Sequence, residues 1–245
     1  MSIYAFSYRN YIFASRNLFA FTEILFWPVV GLVSVGIMGN FLQLQPNMLE
    51  FILTGAIAAG VLQVAQLDVS YSLLYDIWSK SIKHTFLAPV SEYDYIIGSW
   101  IIGIVRGLAV FALLALFYFW AFGFKPPSIG QSLVFASGIF LSALVIGMMV
   151  CWLVLLYGQR VEVTAWSFAT MIMLVYGIYY PVNYLPRPFM IIAELIPLTY
   201  FLEYFRAAYG FKPVFSHSLL KGFGLSIFYT AALFVMLKAA FMKSR

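Results

Sequence analysis

The strongest constraint on this chain is the length of its uninterrupted apolar runs. Six runs recur, at residues 18–38, 50–73, 95–122, 131–157, 164–180 and 219–238, and a helix needs about 20 apolar residues to cross a hydrocarbon core about 30 Å thick. Strands of a transmembrane barrel alternate apolar and polar residues and never build such runs. The expected fold is therefore all-α and integral to the membrane, with six transmembrane helices in a single domain over residues 1–245. Only 9% of the chain is charged, against about 25% in a soluble domain. The runs leave no stretch for a soluble domain, so nucleotide-driven chemistry is expected on another polypeptide.

The first run follows Arg9 and Arg16 with no small-residue cleavage site after a short apolar core, which reads as a retained span rather than a signal peptide. With the N-terminus cytoplasmic, eight basic residues fall on that side. Five, Lys125, Arg187, Arg206, Lys212 and Lys221, fall on the other. The bias places both termini in the cytoplasm, in a cell membrane. Residues 1–17 are too polar to span. Arg9 and Arg16, seven residues apart, share one helical face while Tyr4, Tyr8 and Tyr11 group on another. That pattern fits a helix lying at the interface and touching lipid, or an aromatic belt ahead of the first span.

Two connections are unlike ordinary loops. The cytoplasmic segment 74–95 mixes Trp78, Ile82, Phe86 and Leu87 with Asp76, Lys80 and Lys83 before Pro89. This is a short amphipathic helix, suited to docking a cytoplasmic partner or to resting on its own bundle. The outer segment 181–216 carries Pro181, Pro186, Pro188, Pro197 and Pro213 around two apolar stretches, 189–196 and 198–205. Eight residues rise only about 12 Å and cannot cross the membrane. Two re-entrant helices are expected there, bordering a translocation route, since broken backbone at that depth must face protein or a wet cavity.

Three charges lie within spans: Glu23 in the first, Asp68 in the second and Arg106 in the third. Unpaired, each is costly, so they form a coupling site or a structural cluster clipping helices together. Gly103 with Gly107 and Ala143 with Gly147 have the spacing of close helix contacts. Cys151, the one cysteine, reads as core packing. Glu92 and Asp94 read as helix-capping carboxylates, and His84 and His217 as interfacial polar residues. No phosphate-binding loop and no metal-binding H-E-x-x-H pair occurs in the sequence, so no cofactor or metal is expected in this chain. The Gly224-Leu225-Ser226 motif has no following histidine to serve a nucleophile. The charge of +5 is dispersed and gives no reason to expect nucleic acid.

The outer stretch Tyr176-Gly177-Ile178-Tyr179-Tyr180-Pro181-Val182-Asn183-Tyr184-Leu185-Pro186, then Ile196-Pro197-Leu198-Thr199-Tyr200 and Arg206, resembles the pattern of the type-2 ABC exporter permeases. The run Ala88-Pro89-Val90-Ser91 leading into the third span is similar to that family's coupling region. Trp27-Pro28 and Gly158-Gln159-Arg160 extend the resemblance over nearly the whole chain. It implies a six-span permease that dimerises, as a homodimer, and binds a separate ATP-binding cassette ATPase subunit through the helix between spans two and three, here residues 76–87. The outer re-entrant helices would be residues 186–208. The chain departs from the family where many members carry E-R-x-x-G-T, reading Trp78-Ser79-Lys80-Ser81-Ile82-Lys83-His84-Thr85 instead.

The partner-coupling candidates are accordingly Asp76, Trp78, Lys80, Ile82, Lys83, Phe86 and Pro89. The outer-gate candidates are Tyr180, Pro181, Tyr184, Pro186 and Pro197. With 25 Phe, 17 Tyr and 6 Trp, aromatic side chains exceed the needs of two interfacial belts and concentrate toward the outer side. The resemblance implies export of a hydrophobic or amphipathic cargo: a drug-like compound, a lipid or a lipid-linked glycan. A membrane enzyme or scaffold without transport activity is the alternative.

Overall fold

The computed structural model describes residues 2–16, 18–81, 91–123, 127–158, 167, 170–216 and 218–244, with side chains at 2, 13–24, 92, 218 and 243–244 left aside. Its elements are helices α1 (Ser2–Arg16), α2 (Leu18–Phe41), α3 (Pro46–Trp78), α4 (Glu92–Phe122), α5 (Ile129–Tyr157), α6 (Arg187–Glu194), α7 (Pro197–Ala207) and α8 (Ser218–Ser244), plus a 3-10 turn at Val182–Tyr184. The all-α reading holds for these residues. Helix ends are fixed by local chemistry. Pro46 opens α3, where its missing N–H costs nothing. Ser91 and Asp94 form a capping box for α4, as do Ser128 and Gln131 for α5. Gly123 closes α4 in the left-handed region at φ 70°.

Among the described residues, α3, α4, α5 and α8 are each long and apolar enough to cross a membrane, and α6 with α7 can count as a fifth, broken span. The expected first and fifth runs rest partly on residues outside this description. The fifth also ends earlier than expected. Helical residues 170–173 give way to a turn, because Gly177 adopts φ 72° and Pro181 cannot continue a helix. Beyond it, α6 and α7 meet at 89°. At about 1.5 Å per residue neither spans the core alone, in keeping with the two short helices expected.

Helix α3 is the axis of the bundle, packed by α2, α4 and α5. It accepts such close neighbours because its inward positions are small: Gly55, Ala56, Ala58, Ala59, Gly60 and Ala65 are all buried. A Cβ on Gly103 would lie 2.9 Å from the Ala65 carbonyl, and one on Gly147 2.6 Å from Val69 Cβ, so both small-residue pairs serve contacts within the chain. Cys151 is buried, its thiol 3.5 Å from the Val69 carbonyl. Ser226 donates to the Gly222 carbonyl of its own helix, a packing role.

Two ends are distinguishable. At one, α1 lies on the start of α4, with Phe6 and Phe241 against the Tyr95 ring. At the other, α7 packs on the starts of α5 and α8, with Phe205 stacked on Phe135 at 4.0 Å and Phe201 edge-to-face with Phe223 at 4.8 Å.

Replacing Gly147 by leucine drives side-chain atoms into Val69 and should lower thermal stability by about 1–3 kcal/mol. Gly224, whose Cβ would meet nothing within 4 Å, is the matched control. Thermal unfolding of the detergent-purified protein should separate the two, Gly224→Leu staying near wild type.

Candidate functional site

The polar side chains gather at three levels along α3. At the α1 end, Asp76 is buried at 5% exposure. Arg9 of α1 donates to both its oxygens at 3.1 Å, the Tyr95 hydroxyl lies 3.0 Å from Oδ2, and the Ser81 hydroxyl donates to Oδ1 at 3.2 Å. The Arg9 guanidinium also covers the Phe6 ring at 4.7 Å. Burial weighs against its charge, but Tyr95 and the Asp76 carboxylate more than offset this and hold its pKa above the ordinary arginine value. Ser7 donates to the Gly98 carbonyl and Asn10 to the Ser99 hydroxyl. The arginine face of α1 is thus its inward face, while Tyr4, Tyr8 and Tyr11 stay exposed.

Asp76, a coupling candidate in the sequence, is thus a buried network residue rather than part of a surface patch. Helix α3 continues to Trp78 and turns at Ser79 and Lys80, the latter at φ 55°. Asp76 therefore belongs to the interior of the α1–α3–α4 junction. Trp78 packs with Tyr71 and Tyr75 at 5.7 and 5.3 Å between ring centroids, and Lys80 is exposed. Ile82, Lys83, Phe86 and Pro89 lie outside the described residues.

Midway along α3, Arg106 of α4 forms an ion pair with Asp68 Oδ1. The pair is largely buried, at 19% and 14% side-chain exposure. Glu23 falls within α2, but its side chain lies outside the described residues.

At the α7 end stands a group the sequence reading misses. Arg206, counted among the basic residues of the outer side, is 3% exposed. It donates to the carbonyls of Gly177 at 2.6 Å, Phe51 at 3.0 Å and Ile178, while Phe51 offers its ring face at 3.5 Å. Gly55 makes room for this cluster, since a Cβ there would meet the Ile178 carbonyl and Arg206 Nη2. Glu203, one turn earlier on α7, accepts from the Phe215 N–H at 3.1 Å and tethers the 211–216 loop. The available signal was Arg206 within the proline pattern together with Glu203 at i−3, which puts both on the same helical face.

The gate candidates divide. Pro181 lines a small cavity with Tyr176, Thr199, Glu203 and Arg206, and Pro197 is buried at the first turn of α7. The Tyr180 hydroxyl donates to the Leu174 carbonyl, closing the turn. Tyr184, at 77% exposure, and Pro186 face outward. No group of three or more His, Cys, Asp or Glu side chains suited to a metal occurs among the described residues.

A bundle of long apolar helices with paired buried charge, small-residue contacts and a bent pair of short helices defines a multi-pass membrane protein. Residues 2–209 match the family described as ABC-2 type transporter, and the chain belongs to that family. A 43-residue stretch, 18% of this chain, is 52% identical to an uncharacterized protein of Archaeoglobus fulgidus, covering 67% of that protein.

Two comparisons between variants test this geometry. Asp68→Asn strands Arg106 in an apolar setting, which costs about 2.5–3.5 kcal/mol on insertion scales, and should lower the unfolding temperature. Adding Arg106→Leu should restore part of the loss. Arg206→Leu strips donors from three carbonyls at about 1–3 kcal/mol each, and should destabilise the protein more than Lys221→Leu, which removes only an exposed ion pair to Glu194. Both comparisons are read by thermal unfolding.

Proposed function

We propose that this chain is the permease subunit of an ATP-driven exporter. A separate ATP-binding cassette ATPase docks on the segment following α3, and two copies of the permease move a hydrophobic or amphipathic cargo, such as a drug-like compound, a lipid or a lipid-linked glycan, out of the cytoplasm. The observation that carries the proposal is family membership across residues 2–209 in a chain without a phosphate-binding loop. The basic-residue bias supports cytoplasmic termini in a cell membrane, with α1 at the interface and its exposed tyrosines toward the headgroups.

The Asp76 network supports a route for coupling. It joins the root of the docking segment to α1 through Arg9 and to α4 through Tyr95, so force applied beyond Ser81 reaches two helices at once. At the far end the turn closed by Tyr180 and Pro181, with Tyr184 and Pro186 outside it and Pro197 beneath, forms the outer gate. Proline fixes the bends, and tyrosine offers an apolar body with one hydroxyl, a surface for a cargo that must slip rather than lodge.

Co-expression and co-purification with a separate ATP-binding cassette ATPase tests the docking. Replacing Trp78, Ile82 and Phe86 together by serine should abolish the complex while the permease still inserts, and an unchanged yield would overturn the assignment. For the gate, a cysteine at Tyr184 in a Cys151→Ala background should change its reactivity to a water-soluble thiol reagent when the ATPase is trapped with nucleotide. Reactivity identical in every nucleotide state would leave the segment as a fixed cap.

A further inference from the structure

Among the described residues, three buried polar atoms beneath the outer turn have no hydrogen-bond partner: the Tyr176 hydroxyl, the Thr199 hydroxyl and Glu203 Oε1. Their residues are 1%, 0% and 8% exposed. All three residues line one cavity of about 30 Å³, which Pro181, Arg206 and Lys212 also border. Thr199 and Glu203, at i and i+4 on α7, share the face that looks across to Tyr176 on the turn. No two of these oxygens are hydrogen-bonded to each other, so a molecule in the cavity is what could join them.

We infer that this cavity is a hydration site in which one or two bound water molecules bridge α7 to the 174–182 turn. The volume suits that occupant, since a single water needs about 10–15 Å³. The charges select it too. A cation would sit beside Arg206 and Lys212, and an anion beside the Glu203 carboxylate, whereas a neutral molecule that both donates and accepts satisfies the carboxylate and two hydroxyls together. A buried water held by three such groups is part of the fold, here fastening the gate-forming turn to the re-entrant helix.

The sign of a stability change tests the inference. Tyr176→Phe and Thr199→Val each delete one hydroxyl with little change in shape. If water bridges the groups, each variant should lower the unfolding temperature of the purified full-length protein by about 2–4 °C, and the double variant should lose less than the sum, because both act on one shared network. If the cavity is dry, deleting a buried hydroxyl that has no partner removes a desolvation penalty, and the unfolding temperature stays level or rises. That result would overturn the inference, as would a high-resolution map of the wild-type protein without solvent density among the three oxygens.

Discussion

Backbone that leaves a helix within an apolar bundle must find hydrogen-bond donors inside the protein, because lipid offers none. Arg206 answers that requirement. Gly177 lets the chain turn out of its helix at φ 72°, which frees the carbonyls of Gly177 and Ile178, and one guanidinium takes both while also reaching Phe51 on α3. The fork of an arginine suits this task better than a lysine, whose compact ammonium lacks a planar array of donors. A lone buried cation would be costly, and here carbonyl dipoles and the Phe51 ring face surround it. The bent α6–α7 pair, the loop held by Glu203 and the turn above them all depend on that anchor.

The opposite end solves a different problem with the same residue type. Arg9 fixes α1 across the start of α4 by reaching the carboxylate at the end of α3. Its pairing is ionic because Asp76 is present, whereas Arg206 is held mainly by neutral carbonyls. Helix α3 touches both anchors, from Phe51 to Asp76. At 1.5 Å per residue they lie roughly 40 Å apart along one rod. Between them its small residues admit Gly103 and Gly107 of α4 and Gly147 of α5 at near-backbone distance. A rod so closely clasped transmits displacement as a unit, as dense packing has little compliance.

Much of this architecture is legible in the residues. Uninterrupted apolar sequence marks the long helices, and prolines at 181, 186, 188 and 197 mark the short ones. The proximity of Asp68 and Arg106 follows from their shared depth in adjacent spans. Arg206 and Glu203 escape because hydropathy marks α7 as a short apolar helix but cannot tell a charge in solvent from one facing free carbonyls. The burial of Asp76 escapes for a related reason. It adjoins polar loop residues, yet its helical phase turns it toward Arg9, a partner 67 residues away that local sequence does not indicate. The Tyr180 boundary fails because apolar character continues past the point where Gly177 changes the backbone.

The Asp68–Arg106 pair has a consequence for how the protein is made. The carboxylate emerges from the ribosome 38 residues before the guanidinium that neutralises it, so α3 faces the bilayer first as a helix carrying an uncompensated acid. Its numerous glycines and alanines make it less oily than its neighbours, a poor candidate for release into lipid on its own. Helix α4 brings the missing charge and a strongly apolar outer surface together. Entering together as a hairpin, the two avoid the cost of an unpaired charge in lipid.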